Sequence, residues 1–204
     1  MMMSETKIDS IPTETDVLVV GSGVAGCAAA LGAAREATRE GSDETGDRAS
    51  HEVAIAGTRK TTPGLRGVEK RAIVAGGGDT HRLTLSDMVM VKDNHVAEMG
   101  LSEAVAHFRE EKSFATKIEV EVERPEDGPR AADAGADIVL LDNMTPDEVR
   151  EGVEMLPEGV LAEASGGIGI EDVPAYAKTG VDVISMGSLT HSAPSLDLSF
   201  RTGE

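Results

Sequence analysis

The feature that most constrains the fold is a regular alternation of strand-like and helix-like segments after residue 51. Strand patterns lie at 53–58, 88–92, 117–123, 137–142, 160–164 and 182–187, with a short one near 196–200. Helix patterns lie at 65–77, 101–112, 126–135, 145–156 and 170–179. Such alternation builds right-handed βαβ units around a parallel sheet, and apolar runs such as IVLL suit strands that are covered on both faces. The sequence therefore predicts an α/β fold, an incomplete TIM-like barrel of six or seven strands.

The first fifty residues follow a different pattern. A short apolar strand at 16–21 leads into Gly21, Gly23 and Gly26, the G-x-G-x-x-G of a dinucleotide fold, and an Ala-rich helix at 27–39 follows. Residues 40–50 read as a polar linker. We therefore predict an isolated Rossmann-type fragment with its linker at 1–50 and a barrel domain at 51–204. The motif needs a second strand ending in an acid, and the acids at 40–47 lie in loop composition, so FAD is not expected.

Composition limits the partners and the compartment. The chain carries a net charge of −18 with a pI near 4.6, which disfavours nucleic acid because phosphate backbones would be repelled. No apolar run is long enough to cross a bilayer, so no membrane partner is expected. The single Cys27 fits a reducing compartment, and we predict a cytoplasmic protein. The acidity fits a salt-adapted, halophile-like cytoplasm or an ordinary acidic mesophile.

One window departs from this acidity. Between residues 59 and 92 seven Lys or Arg stand against three acids, a local balance of +4 in a chain of net −18. The cations recur just after apolar strand patterns, at Arg59–Lys60 and Lys92, with His81–Arg82 before the second strand. A solvated charged face is the alternative, but this placement favours a site for an anion that carries several charges.

The barrel pattern also gathers polar residues, because chemistry in this architecture sits at the carboxyl ends of the strands. Glu119, Glu121 and Glu123 alternate with Val and so face one side of their strand. That side is either the barrel interior or mouth, where partners are needed, or a hydrated barrel end. The turns ASGGI and MGSL each follow a strand, as the phosphate site of such barrels does.

Seven blocks in order, TRKTTPGLR, GGGDTHR, VKDNH, EVEVE, LLDNM, ASGGI and ISMGSLTHSAPSLD, resemble the quinolinate phosphoribosyltransferase family over about residues 53–201. The resemblance implies an enzyme, a carboxylating nicotinate-nucleotide diphosphorylase of the pentosyltransferase class that acts in NAD biosynthesis. Its substrates would be quinolinate and phosphoribosyl pyrophosphate (PRPP), and its products nicotinate mononucleotide, pyrophosphate and CO₂.

The same resemblance implies roles for particular residues. Lys92, Glu121 and Asp142 would be catalytic, and Glu121 and Asp142 would hold ribose hydroxyls and Mg²⁺, which enters with PRPP. The implied substrate-binding set is completed by Thr58, Arg59, Lys60, His81 and Arg82 at the anionic groups, and by Ser165, Gly166, Gly167, Gly187, Ser188 and Leu189 at the 5′-phosphate.

The N-terminal stretch DVLVVGSGVAGCAAALGAAREA resembles instead the FAD-binding start of L-aspartate oxidase, over about residues 14–40. The family's amino-terminal domain is expected to be missing, and no residue here matches the Arg which that domain lends to the partner subunit of a dimer. Three interpretations stay open: a transferase with low turnover, a non-catalytic remnant that binds phosphorylated ligand, and a flavin-dependent oxidoreductase. A homo-oligomer is expected from the resemblance.

Overall fold

The computed structural model describes residues 53–193, which form one sheet flanked by helices. The strands are β1 Ala54–Gly57, β2 Val89–Val91, β3 Ile118–Val122, β4 Ile138–Asp142, β5 Leu161–Ser165 and β6 Val183–Met186. The helices are α1 Arg66–Ala75, α2 Asp93–Met99, α3 Leu101–Glu111, α4 Asp127–Ala134, α5 Pro146–Met155, α6 Val173–Ala177 and α7 Ser188–His191, with a 3₁₀ turn at Ile170–Asp172. The glycine-rich fragment at 1–50 and the strand near 196–200 lie outside the described residues.

All six strands pair in parallel, in the order β1-β6-β5-β4-β3-β2. Strands β2 to β6 thus lie side by side in chain order. Strand β1 lies at the other edge of the sheet, next to β6. Within residues 53–193 no pairing joins β1 to β2, so the sheet is an unclosed barrel. The predicted incomplete TIM-like α/β barrel is confirmed, with six strands in the part of the chain that the structure describes.

The six predicted strands that fall within the described residues agree with those observed to within one residue at each end, because each is a short apolar run that ends at a turn. Helix α5 also begins as predicted. The Thr145 hydroxyl accepts the Glu148 N–H, and the Glu148 carboxylate accepts the Thr145 N–H at 2.8 Å. Gly135 ends α4 in a left-handed conformation with φ 106°.

Three helical details differ from the prediction. Helix α2 was not predicted, because none of its residues is buried and it lacks an apolar stripe. Helix α7 has only four residues, too few for a helical period to show. The helix predicted at 170–179 is a 3₁₀ turn followed by the five-residue α6.

The core between sheet and helices is aliphatic and fully excluded from solvent, as at Val120, Val139 and Ile184. On the inner side of the strands two acids, Glu119 and Glu163, are buried as well. No helix among residues 53–193 combines the length and the apolar character that crossing a membrane would require.

Candidate active site

The carboxyl ends of the strands surround a cavity of about 350 Å³. Nine of the residues predicted from the sequence line it: Thr58, Arg59, Lys60, His81, Arg82, Lys92, Glu121, Asp142 and Ser165. Four further lining residues were missed: Met90, Leu140, Glu163 and Ser185. Side chains two residues apart on a strand face the same way, and Met90, Leu140 and Glu163 each stand two positions before a predicted residue. The alternation of side chains along each strand was therefore the sequence signal from which these three residues could have been predicted.

Three cations of the cavity have no counter-ion in the part of the chain that the structure describes. Within residues 53–193 Arg59, Lys60 and Arg82 form no ion pair. The Arg59 Nε is buried without a hydrogen-bond partner in the same part of the chain. Burial, and then the positive charges of Arg66 and Arg82, lower the pKa of Arg59 below its ordinary value. An unpaired cationic cluster of this kind is stabilised by an anion that enters it.

Helix α1 holds both cationic segments in place from behind. The buried ammonium of Lys70 donates to the carbonyls of Gly57 and Thr80, which precede Thr58–Lys60 and His81–Arg82 respectively. The Glu69 carboxylate accepts the Thr62 N–H at 3.1 Å. Gly57 permits this close packing, since a Cβ there would stand 2.2 Å from Ile73 Cδ1. Two segments more than twenty residues apart are thereby joined at one rim.

Carboxylates on the neighbouring strands β3 and β4 face the same cavity. The Lys92 ammonium is hydrogen-bonded to the Glu121 carboxylate. Burial raises the pKa of Asp142 and the negative charge of Glu121 adds to the effect, while Lys92 and Lys60 oppose it. The two carboxylates at this cavity offer hard oxygen ligands for a divalent cation, and such ligands suit Mg²⁺.

Of the residues predicted in the two glycine turns, Ser165 lines the cavity and the other five lie outside its lining. Gly166 and Gly167 have φ of 96° and 67°, and a Cβ at Gly166 would stand 2.4 Å from Asn143 Oδ1. Ser188 donates its hydroxyl to the Ile168 carbonyl at 3.1 Å, which joins the two turns. The turn at Gly187 adjoins Lys60, whose Cδ would lie 3.2 Å from an added Cβ. The side chain of the predicted Leu189 is buried in the core, so only its backbone can face a ligand.

The floor of the cavity holds a buried cluster of His81, Glu119 and Glu163. His81 Nε2 lies 3.1 Å from Glu163 Oε2 and 3.6 Å from Glu119 Oε1, and the Arg82 N–H donates to His81 Nδ1 at 2.8 Å. Of the three acids that alternate with Val, Glu119 and Glu121 lie on β3, and Glu119 points into the barrel interior with no exposure. The interpretation of all three as a hydrated barrel end is wrong for this residue.

The pKa values of two members of the cluster, His81 and Glu119, are raised above their ordinary values. Burial disfavours the His81 imidazolium, but hydrogen bonds to Glu119 and Glu163 outweigh it and raise the pKa of His81 to about 10. Burial also raises the pKa of Glu119, against the pull of His81.

Comparison with known proteins identifies the fold and its relatives. The family model described as quinolinate phosphoribosyl transferase, C-terminal domain, matches residues 37–201. A protein of Methanothermobacter thermautotrophicus, described as a probable carboxylating nicotinate-nucleotide pyrophosphorylase, is 54% identical over 155 residues, which cover 73% of this chain and 56% of that protein. The human carboxylating nicotinate-nucleotide pyrophosphorylase is 46% identical over 180 residues, 86% of this chain and 58% of the human one.

Solved structures agree with this assignment. The NadC crystal structure from Streptococcus pyogenes has a TM-score of 0.77 at 38% identity and matches 89% of this chain and 60% of its own. The nicotinate-nucleotide pyrophosphorylase of Francisella tularensis has a TM-score of 0.77 at 32% identity, with 87% and 60% covered. The chain thus spans between half and two thirds of the length of these relatives. By its sequence and its barrel, the chain belongs to the quinolinate phosphoribosyltransferase family.

Proposed function

We propose that this chain transfers the phosphoribosyl group of PRPP to quinolinate with decarboxylation, forming nicotinate mononucleotide, pyrophosphate and CO₂ in NAD biosynthesis. The observation that carries the proposal is a set of cations, Arg59, Lys60 and Arg82, that have no counter-ion among the described residues and that share one cavity with the carboxylates of Glu121 and Asp142. Quinolinate and PRPP are both polyanions, and PRPP also carries ribose hydroxyls. The cavity offers cations for the negative charges of both substrates and carboxylates for the ribose hydroxyls of PRPP.

In this proposal quinolinate would lie among the cations on the β1 side of the cavity. Its two ring carboxylates would be bound by the guanidinium groups of Arg59 and Arg82, with Thr58 at the same edge. Guanidinium matches a carboxylate with two parallel N–H donors, which fixes the plane of the pyridine ring as well as its position. Orientation of the ring nitrogen toward C1 of the ribose is the main contribution that binding makes to the rate.

PRPP is placed along β3 to β6. Glu121 and Asp142 would hold its ribose hydroxyls and Mg²⁺, and the fit rests on their position on neighbouring strands and on the raised pKa of Asp142. When bound, Mg²⁺ neutralises charge on the pyrophosphate that leaves. The 5′-phosphate would lie at the turns of Ser165–Gly167 and Gly187–Leu189, whose backbone N–H groups can approach it closely.

The residues of this chain then act by charge and position. Lys60 and Lys92 would stabilise the departing pyrophosphate while the ring nitrogen bonds to C1 of the ribose. Loss of CO₂ leaves an electron pair at ring carbon 2, which takes up one proton. Nearby fixed positive charge lowers the energy of that carbanion, because the developing charge appears in a partly buried site.

A steady-state assay with quinolinate, PRPP and Mg²⁺ tests the proposal, with nicotinate mononucleotide and CO₂ measured in the same reaction. Equal amounts of both products are expected, and Asp142→Asn should lower their rate. The matched control Arg150→Ala, a charge change on the distant α5, should leave the rate unchanged. Binding of PRPP without product would favour the non-catalytic interpretation. Failure to bind either substrate would contradict the proposal.

The remaining expectations about partners stay predictions. We propose that the chain works as a homo-oligomer, on the grounds of the family resemblance, and in the cytoplasm, because its single Cys27 fits a reducing compartment. Sedimentation of the purified chain at several concentrations measures its oligomeric state. A concentration-independent monomer would contradict it.

A further inference from the structure

A buried hydroxyl joins two parts of the site that lie 130 positions apart in the chain. Thr190 on helix α7 is 7% exposed and donates its hydroxyl to the Lys60 carbonyl at 2.5 Å. The two residues meet because β1 and β6 pair in parallel up to Gly57 and Met186, so the segments that leave these strands begin side by side. Lys60 lines the cavity, whereas Thr190 lies behind it.

The Thr190 hydroxyl has one proton and two acceptors within reach. The Gly187 carbonyl, three residues earlier at 3.1 Å, is the partner that a Thr hydroxyl in a helix ordinarily uses. The Lys60 carbonyl at 2.5 Å is nearer and so takes the larger share of the proton. The Lys60 N–H is bound within its own segment, by the Thr58 hydroxyl at 3.2 Å. Among the described residues, the bond to Thr190 is therefore what joins the backbone of Lys60 to another element.

The side chain of Lys60 lies against the same turn. Gly187 directly precedes α7, and a Cβ there would stand 3.2 Å from Lys60 Cδ, so the aliphatic stem of Lys60 packs over the glycine. The charge of Lys60 acts on the carboxylates across the cavity: burial raises the pKa of Asp142, and Lys60 is one of two cations that oppose the rise. Lys60 therefore links the turn proposed for the 5′-phosphate with the carboxylate proposed for the ribose.

Thr190 itself has nothing to offer an anionic ligand. An anion needs a hydrogen-bond donor, and the single proton of this hydroxyl is already donated to carbonyl groups of the protein. The side chain is also buried and lies outside the lining of the cavity. An effect of Thr190 on ligand binding must therefore pass through Lys60, the lining residue that it holds.

We propose that Thr190 is a positioning residue for PRPP: its hydroxyl holds Lys60 against the turn at Gly187, so that the Lys60 ammonium is in place before PRPP arrives. A charge that is already in position needs no reorganisation when the ligand binds. This inference rests on the proposed function for the identity of the ligand, but not for the contact between Thr190 and Lys60. It assigns a role to a residue that the sequence analysis did not place in the site.

A matched pair of variants isolates the hydroxyl, with PRPP affinity measured by titration calorimetry on the full chain in the presence of Mg²⁺. Thr190→Val removes the hydroxyl and keeps the branched shape, and it should weaken PRPP binding by about two- to tenfold, the effect of one neutral hydrogen bond. Thr190→Ser keeps the hydroxyl and should bind within about twofold of the wild type. Equal losses in the two variants would overturn the proposal. If Thr190→Val does not fold, Thr190→Ala against Thr190→Ser makes the same comparison.

A double-mutant cycle separates positioning of Lys60 from a general loosening of the site. Lys60→Ala should weaken PRPP binding by roughly ten- to 150-fold. Adding Thr190→Val to Lys60→Ala should change the affinity by less than about twofold, because no ammonium is left to position. The matched control is Lys92→Ala, a cation after β2, in which Thr190→Val should keep its full effect of about two- to tenfold. Additive losses with Lys60→Ala would mean that Thr190 does not act through Lys60.

Amide hydrogen exchange, followed by mass spectrometry, measures the contact between Thr190 and Lys60 without any ligand. Peptides that cover residues 58–62 should exchange faster in Thr190→Val than in the wild type or in Thr190→Ser, because this segment has lost its hydrogen bond to α7. Unchanged exchange in those peptides would overturn the inference. Absence of PRPP binding by the wild type would contradict the proposed function, and the exchange rates would then decide separately whether Thr190 positions Lys60.

Discussion

Replacing Arg59 with Ala should weaken substrate binding while leaving the fold as stable as before. The Arg59 Nε is buried without a partner in the described part of the chain, and the guanidinium lies near Arg66 and Arg82. Like charges in a partly buried site destabilise one another. The protein therefore gains little from Arg59 in the absence of a ligand.

The magnitude follows from the kind of contact that is lost. A hydrogen-bonded contact to a charged group contributes about 1.5–3 kcal/mol, so the dissociation constant for quinolinate should rise by roughly ten- to 150-fold. The free energy of unfolding should change by no more than about 0.5 kcal/mol, or should rise, because an unpaired charge has been removed. Calorimetric titration with quinolinate and chemical denaturation on the same preparation measure the two quantities.

The matched control is Arg150→Ala. Arg150 pairs with Asp147 at 2.7 Å on the outer surface of α5, where the side chain is 43% exposed. Loss of this surface pair should change stability by about 0.5 kcal/mol or less and should leave affinity unchanged. A fall in the stability of Arg59→Ala with unchanged quinolinate affinity would refute the reasoning, because it would make Arg59 a structural residue.

Three further variants test other parts of the fold and site. Gly166→Ala should lower the free energy of unfolding, measured with denaturant, by more than Gly64→Ala does. Both glycines have positive φ, but of the two only Gly166 would have a Cβ 2.6 Å from a neighbouring backbone nitrogen. Thr145→Ala should lower the free energy of unfolding by about 1 kcal/mol at neutral pH. Since hydrogen bonds from Thr145 lower the pKa of Glu148, the difference in stability between wild type and variant should shrink below about pH 4.3, which denaturation at several pH values measures. Glu121→Gln should reduce the Mg²⁺ dependence of PRPP affinity in calorimetric titrations, and an unchanged dependence would remove Glu121 from the proposed Mg²⁺ site.

The sequence alone determined the strands, most of the helices and the rim of the site. The parallel sheet and its βαβ connections follow from apolar runs that alternate with helical patterns. The residues after each run then had to meet, because all parallel strands end at the same edge of the barrel. Lys92, Glu121 and Asp142 could be placed together for this reason, and the capping pattern at Thr145 located the start of α5 by local chemistry alone.

Only the tertiary structure decided what lies beneath that rim. Glu119 and Glu163 alternate with apolar residues in the sequence, but the alternation does not tell which face of a strand is covered. Their partner His81 lies 82 positions from Glu163, in an irregular segment. The path of this segment is set by the buried Lys70 and by the bridge between Ala56 and Asp79. Contacts across such a distance are made by packing, not by local periodicity. The cationic residues could therefore be found from the sequence, whereas the buried cluster of Glu119 and Glu163 with His81 could not.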